Sequence, residues 1–136
     1  MKLGAAIENT TSVEPVFEFV PNNEIQLYMN AADVVALPYR DILTSGSVLL
    51  AMSFGRPVVT PDLGCIPALA GDKGNFIYEA NDRRSLREAL EAADSTPDEK
   101  LEAVGTRNYE MAAELTWARV GSMTRAVYDA ALAGRS

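Results

Sequence analysis

The chain has 136 residues, a formal charge of −7 and a hydrophobic content of 48%. This length suits one domain with a single core, and the charged fraction of 23% is ordinary for a folded protein. The basic residues are dispersed along the chain, which argues against nucleic acid as a partner because proteins that bind it carry clustered basic faces. The sequence therefore predicts one folded domain over residues 1–136.

The amino-acid content also removes several kinds of chemistry. The chain has no histidine and one cysteine, Cys65, so Ser-His and Cys-His catalysis and an internal disulfide are excluded. With so few nitrogen and sulfur ligands we expect no metal site and no cofactor. No window reaches the roughly 18 apolar residues of a membrane span, and the N-terminus lacks the apolar stretch of a signal peptide. We therefore expect a cytoplasmic protein without a transmembrane segment.

Short apolar runs alternate with amphipathic stretches along the chain. The predicted strands are 16–20, 34–37, 57–62 and 75–80. The predicted helices are 23–33, 45–54, 66–70, 82–94, 97–115 and 116–132. Strands separated by helices indicate parallel pairing with right-handed crossovers. The pattern therefore predicts an α/β fold, a Rossmann-like open parallel sheet with helices on both faces.

Polar residues that cap helices mark the predicted helix starts. The predicted caps are Asn22 or Asn23, Asp82, Thr96 and Thr116. Gly55 stands where a left-handed residue is expected to end a helix. The last helix carries large apolar side chains at helical spacing, which predicts a buried face. These side chains are Trp117, Val120, Met123, Val127 and Tyr128.

The segment Thr44–Ser47 joins the strand that ends at Leu37 to the next helix. Ligands of parallel sheets bind beyond the carboxyl ends of the strands, where such segments lie. The first N–H groups of a helix have no internal partner, and the helix dipole there favours an anion. Gly46 lets a ligand approach the backbone, so the segment predicts a phosphate site. A plain helix cap at Ser45 or Thr44 is the alternative interpretation.

Residues near this segment also have two interpretations each. Arg40 is either a phosphate partner or an ordinary exposed arginine. Asp62 and Cys65 follow a predicted strand and either line the same cleft or form a turn. The segment lacks the lysine of a P-loop and the three spaced glycines of a dinucleotide motif, so neither motif applies.

Four strings resemble the C-terminal, donor-binding domain of group 1 glycosyltransferases, which have the GT-B architecture of two Rossmann-like domains. They are FVPNNEIQLYMNAADVVALPY, SVLLAMSFGRPVVTPDLGCIPAL, NFIYEANDRRSLREAL and TWARVGSMTRAVYDAAL, in the order in which the family has them. The most specific part is the pair AADVVALPY and AMSFGRPVV. The resemblance implies a nucleotide-sugar-binding domain that is truncated at its N-terminus and belongs to a longer enzyme with a separate acceptor-binding domain.

The resemblance also implies where a donor would bind. The diphosphate of a UDP- or GDP-linked sugar would rest at Gly46 and Ser47, the base would lie near Val20 and Pro21, and the sugar would face the segment 39–45. The substrate-binding residues expected on this basis are Val20, Pro21, Tyr39, Arg40, Asp41, Thr44, Ser45, Gly46 and Ser47. No residue is assigned a catalytic role.

Two departures from the family pattern bear on activity. The family usually carries two glutamates near this helix, and their positions fall at Ile42 and Leu50, whose side chains accept no hydrogen bond. Asp41, shifted by one residue, is the alternative to the first glutamate. The family's donor-binding domain also has a first βαβ unit that has no counterpart in this sequence. With that unit the sequence lacks the arginine and the lysine that stabilise the developing diphosphate charge. We therefore expect this chain to be inactive alone.

Two other functions remain open at this point. A non-catalytic scaffold or regulatory module with the same fold is favoured by the apolar residues Ile42 and Leu50. A different phosphate-binding α/β protein, such as a sugar-nucleotide epimerase, is disfavoured by the absence of histidine. An uncovered sheet edge would also favour a homodimer, since free edge strands pair readily.

Overall fold

The computed structural model describes residues 12–71 and 74–134. In these ranges the sheet has three parallel strands in the order β1-β2-β3: β1 (Val35–Ala36), β2 (Val58–Pro61) and β3 (Phe76–Tyr78). The helices of the same ranges are α1 (Ile25–Ala31), α2 (Gly46–Ser53), α3 (Ile66–Ala70), α4 (Arg83–Asp94), α5 (Asp98–Glu114) and α6 (Trp117–Ala133). The predicted α/β fold with an open parallel sheet is confirmed.

The central strand β2 is buried along its whole length. Val58 packs with buried residues of α2 and α3, whereas Val59 packs with Tyr78 and with Ala93 of α4. Neighbouring residues of a strand point to opposite faces, so β2 contributes to a core on each side of the sheet. This double burial explains the continuous apolar run in the sequence, and it confirms that helices cover both faces.

Two glycines allow α2 and α5 to approach closely. Gly55, which follows α2, has a φ of 66° and confirms the left-handed residue that the sequence predicts. A Cβ atom on Gly105 of α5 would overlap the carbonyl oxygen of Gly55. Only glycine therefore fits at position 105 without a shift of one backbone against the other.

A buried pair of asparagines joins this contact to the sheet. Asn108 of α5 is fully buried, and its Nδ2 donates to the Arg56 carbonyl oxygen at 2.9 Å and to Asn75 Oδ1 at 2.8 Å. Asn75 Oδ1 also accepts from the Val58 amide at 3.0 Å, and Asn75 Nδ2 donates to the Ala70 carbonyl oxygen at 3.0 Å. The pair therefore ties α5 to β2 and to the end of α3.

The predicted strand Val16–Val20 is wrong. The segment is irregular, and its side chains are mostly exposed, Phe19 to 85%. A strand is stabilised by hydrogen bonds to a neighbouring strand, and the three strands of the described residues pair only with one another. The alternating pattern of the sequence thus has no partner within the part of the chain that the structure describes.

Some predicted caps are confirmed and others are wrong. The side chain of Asp82 accepts from two amides at the start of α4, and Thr116 Oγ1 accepts from the third residue of α6. Asn22 and Asn23 do not cap α1, because the Pro21 carbonyl oxygen takes the amides at the helix start instead. This backbone interaction makes a side-chain cap unnecessary.

Thr96 is also not a cap. Its hydroxyl donates back to the Ala92 carbonyl oxygen at 2.7 Å, and Pro97 precedes α5 without a side-chain hydrogen bond. The hydroxyl is therefore used by the end of α4 rather than by the beginning of α5.

The predicted burial of α6 is wrong, although the helix itself forms where the sequence places it. All five side chains of the predicted buried face are exposed, and Trp117 is 91% exposed. No residue of α6 is buried by any element of the described structure. Among the helices in the described ranges, none is both long and apolar enough to cross a bilayer.

Candidate functional site

The carboxyl ends of the three strands lie at the same end of the sheet, because all three strands run in the same direction. The chain leaves β1 through Pro38 and Tyr39, β2 through Asp62 and β3 through Glu79. Asp62 joins two of these exits, since its amide donates to the Tyr78 carbonyl oxygen and its carboxylate accepts from the Ala80 amide at 2.7 Å. Ligands of parallel α/β sheets bind at this carboxyl end of the strands.

Ser45 forms the cap of α2. Its Oγ accepts from the Val48 amide at 3.1 Å and lies 2.8 Å from the Tyr39 hydroxyl, with which it shares a hydrogen bond. Ser45 is only 8% exposed. The cap interpretation of the sequence is therefore confirmed for Ser45, and the tyrosine that follows β1 is linked to the start of α2.

The first turn of α2 is open. Gly46 and Ser47 are exposed, and their amides donate to no acceptor among residues 12–71 and 74–134. A Cβ atom added to Gly46 would have nothing within 4 Å. The first turn carries no acidic side chain, so no carboxylate competes for the positive end of the helix dipole. The arrangement offers two backbone donors to an anion.

The loop before α2 has both exposed and partly buried residues. Asp41 and Thr44 are exposed, whereas Ile42 packs against the core that α2 and α3 form with the sheet. Leu50, on α2, is half-buried. The two positions that the resemblance assigns to glutamates are thus held by apolar side chains, and that of Ile42 serves packing.

A crevice lies at the same end of the sheet, towards α4, with a volume of about 620 Å³. Its lining residues are Pro38, Tyr39, Arg40, Tyr78, Asn81, Asp82, Arg83 and Leu86. Burial raises the pKa of the Tyr78 hydroxyl above its ordinary value. The crevice brings Arg40 together with Arg83, and its lining does not include the segment 44–47. Arg40 therefore lines the crevice beside α4, next to Tyr39, whose hydroxyl is bonded to Ser45 at the start of α2.

The structure does not bring the remaining sequence-predicted residues to the segment 44–47 by hydrogen bonds. Val20 is half-buried and Pro21 is exposed, and no hydrogen bond between described residues joins them to the segment 44–47. Cys65 is exposed and precedes α3, so the turn interpretation fits it. In the ranges that the structure describes, no three acidic, histidine or cysteine residues come together as metal ligands.

The sequence predicts a turn at Gly64, and the structure places it in the turn between β2 and α3, but sequence reasoning missed what this turn contacts. The φ of Gly64 is 54°, and a Cβ atom there would overlap the carbonyl oxygen of Leu43, in the loop that enters α2. The only signal in the sequence is a glycine between Leu63 and Cys65, which predicts a turn but not the segment that the turn contacts.

The fold and the open edge define a Rossmann-like α/β protein that presents helix N-termini at the ends of its strands. The sequence model of the family described as "Glycosyl transferases group 1" matches residues 3–94. The chain therefore belongs to the group 1 glycosyltransferase family, whose members carry out glycosyl transfer.

Individual relatives agree with this assignment. The chain is 27% identical over 124 residues to a GDP-mannose:glycolipid 4-beta-D-mannosyltransferase of Xanthomonas campestris pv. campestris, and equally similar to the protein of the same name from strain ATCC 33913. The match covers 88% of this chain and 33% of each relative, so the chain spans a third of their length.

A solved structure supports the fold. The sucrose-phosphate synthase of Thermosynechococcus elongatus superposes with a TM-score of 0.78 at 16% identity, covering 96% of this chain and 34% of that protein. At this identity the match shows a shared fold, and the fold is that of a GT-B Rossmann-like domain.

Proposed function

We propose that the chain is the donor-binding part of a group 1 glycosyltransferase and holds a nucleotide-diphosphate sugar at the start of α2. Residues 1–136 would form a single nucleotide-sugar-binding domain within a longer enzyme. The diphosphate would accept hydrogen bonds from the amides of Gly46 and Ser47, and the sugar would face Tyr39 and the loop that follows it.

The open first turn of α2 is the observation that carries this proposal. Gly46 and Ser47 are exposed residues, and their amides have no partner among the described residues. Hydrogen bonds from amides to a charged oxygen are stronger than those to a neutral one, and the helix dipole adds to them. Because Ser45 already caps the helix through Val48, the amides of Gly46 and Ser47 are available without loss of the cap.

GDP is the first ligand to test, since the relatives that match the chain are GDP-mannose-dependent by name. UDP tests the alternative base, and inorganic pyrophosphate tests the diphosphate alone. If GDP bound and pyrophosphate did not, the affinity would come mainly from contacts with the base, near Val20 and Pro21, and not from contacts with the diphosphate.

Gly46→Val is the decisive variant in isothermal calorimetry. Helical side chains tilt towards the N-terminus, so the valine would occupy the space that a diphosphate needs. We expect GDP to bind at least about tenfold more weakly, which corresponds to the loss of one hydrogen bond to a charged group. The thermal midpoint should hold, because nothing lies within 4 Å of an added Cβ atom.

Gly121→Ala is the matched control, since a Cβ atom at Gly121 on α6 also has nothing within 4 Å. It should bind GDP as the unsubstituted chain does. Equal affinity in Gly46→Val and the unsubstituted chain would overturn the proposed position of the diphosphate. Silence of the unsubstituted chain with every nucleotide would favour the second candidate function.

That second candidate is a non-catalytic scaffold or regulatory module with the same fold. The packing of Ile42 against the core favours it, because the position that the family gives to a glutamate then contacts protein rather than a sugar hydroxyl. Ile42→Glu should therefore destabilise the chain by partly burying a carboxylate, without creating donor binding.

The remainder of a longer enzyme would supply acceptor binding and the cationic groups that stabilise the leaving diphosphate. The chain alone should therefore give no glycosyl transfer from labelled GDP-mannose or UDP-glucose, and turnover comparable to that of whole enzymes would contradict this. A homodimer through the β1 edge of the sheet is a further expectation, and a monodisperse monomer by light scattering would rule it out. The cytoplasmic location stays a prediction of the sequence.

A further inference from the structure

We propose that Gly64 is a positioning residue, which holds the loop entering α2 so that the amides of Gly46 and Ser47 point out of the sheet edge. The inference rests on the proposed function, because positioning matters only if these amides bind a ligand. It concerns a glycine on a different strand exit, which would contact no ligand itself.

The geometry leaves no room for a side chain at position 64. A Cβ atom there would overlap the Leu43 carbonyl oxygen, lie 2.7 Å from the carbonyl carbon of Leu43 and lie 2.8 Å from the Ile42 carbonyl oxygen. Two carbonyl groups of the loop are therefore seated against the face of Gly64. Its φ of 54° adds a second requirement for glycine at this position.

A hydrogen bond fixes the same contact. The Cys65 amide donates to the Leu43 carbonyl oxygen at 3.0 Å. The close approach and the hydrogen bond act on one carbonyl group, and only Thr44 and Ser45 separate it from Gly46. A shift of the Leu43 carbonyl is thus carried to the first turn of α2 through two residues.

The turn that carries Gly64 is anchored more firmly than the loop. Asp62 is bound to β3 through its amide and its carboxylate, and Ile66, at the start of α3, is fully buried. On the other side, Ile42 packs against the core, but Leu43 and Thr44, which lead into α2, are exposed. A clash at Gly64 would therefore displace the loop and not the turn.

The experiment compares Gly64→Ala with Gly55→Ala. Both glycines have a left-handed φ, 54° and 66°, so both substitutions impose similar backbone strain. A Cβ atom at Gly55 has its nearest neighbour at 3.5 Å, an ordinary contact far from overlap. Gly64→Asn completes the set, because asparagine tolerates a left-handed backbone but still carries a Cβ atom.

In the unsubstituted chain and each variant, GDP affinity is measured by calorimetry and the amide signals of Gly46 and Ser47 by nuclear magnetic resonance. We expect Gly64→Ala and Gly64→Asn to weaken GDP binding about tenfold, as for one lost hydrogen bond to an anion, and to shift both amide signals. Gly55→Ala should lower the thermal midpoint but preserve both the affinity and the amide signals.

The outcomes separate this inference from the proposed function. If the unsubstituted chain binds GDP and Gly64→Asn binds it equally well, the positioning role is overturned while the donor site stands. If the unsubstituted chain binds no nucleotide, the donor site fails, and unchanged amide signals in Gly64→Asn would overturn the positioning of the loop as well. If Gly64→Ala does not fold, the test rests on Gly64→Asn, in which the strain of the left-handed backbone is smaller.

Discussion

The two ends of α2 use glycine in opposite ways. At the C-terminal end, Gly55 and Gly105 of α5 meet so closely that a Cβ atom on Gly105 would overlap a carbonyl oxygen. At the N-terminal end, a Cβ atom on Gly46 would meet nothing within 4 Å. Packing against the C-terminal end of α2 therefore requires glycine at position 105 of α5, whereas packing places no such requirement on Gly46 at the N-terminal end.

The difference suggests that the C-terminal end of α2 serves the stability of the domain and that the N-terminal end is available for binding. An added Cβ atom at Gly46 would meet no neighbour, so packing does not explain the glycine at the first position of α2. Open space alone does not mark a site, since Gly121 on α6 has it too. What distinguishes Gly46 is its place in the first turn of α2, where its own amide and that of Ser47 have no acceptor among the described residues and Ser45 already caps the helix.

Asn108→Ala should break the C-terminal end most strongly. The substitution removes the donor to the Arg56 carbonyl oxygen and the reciprocal partner of Asn75, and it leaves a cavity at a fully buried position. We expect the free energy of unfolding to fall by about 3 kcal/mol, from unpaired buried polar groups together with lost packing. Urea denaturation measures this change.

Thr106→Ala, on the exposed side of α5, is the matched control and should change the free energy of unfolding by less than about 0.5 kcal/mol. A loss of that small size in Asn108→Ala would mean that the asparagine pair contributes little to the C-terminal end. The GDP affinity of folded Asn108→Ala should equal that of the unsubstituted chain.

Gly105→Ala should have the next largest effect. The added methyl group overlaps the Gly55 carbonyl oxygen, and overpacking of this kind costs about 1–3 kcal/mol. Gly121→Ala makes the same chemical change in the interior of another helix, in open space, and should stabilise the chain by up to about 1 kcal/mol. Thermal unfolding should therefore move in opposite directions for the two variants, and a stabilised Gly105→Ala would contradict the close contact.

The sequence predicts what local interactions determine. The cap at Asp82, the left-handed Gly55 and the doubly buried strand β2 all follow from residues within a few positions of one another. The start of α2 belongs to this group, because Ser45 and Gly46 signal a capped helix by themselves. The family resemblance then supplies the ligand that such a helix start would bind.

The sequence does not predict what depends on a partner element. The alternation of Val16–Val20 indicates a strand, and the spacing of apolar residues on α6 indicates a buried face, yet neither has a partner among the described residues. The contact of Gly64 with Leu43 is invisible for the same reason, since it joins two strand exits that meet only in the folded sheet.

Ser45→Ala tests the comparison at the N-terminal end. Val48 is fully buried, so its amide loses a partner that water does not readily replace, and loss of such a cap costs about 1 kcal/mol. Ser47→Ala, at an exposed neighbour, should change the free energy of unfolding by less than about 0.5 kcal/mol. Urea denaturation of both variants measures the difference.

Tyr39→Phe separates the two hydrogen bonds of Ser45. It removes the hydroxyl that lies 2.8 Å from Ser45 Oγ and keeps the cap to Val48, so its effect should be smaller than that of Ser45→Ala. If Ser45→Ala instead destabilised the chain as much as Asn108→Ala, the N-terminal end would be held by packing as tightly as the C-terminal end. The amides of Gly46 and Ser47 would then lie in a segment that stabilises the fold. The N-terminal end of α2 could then no longer be distinguished from the C-terminal end as the end that serves binding.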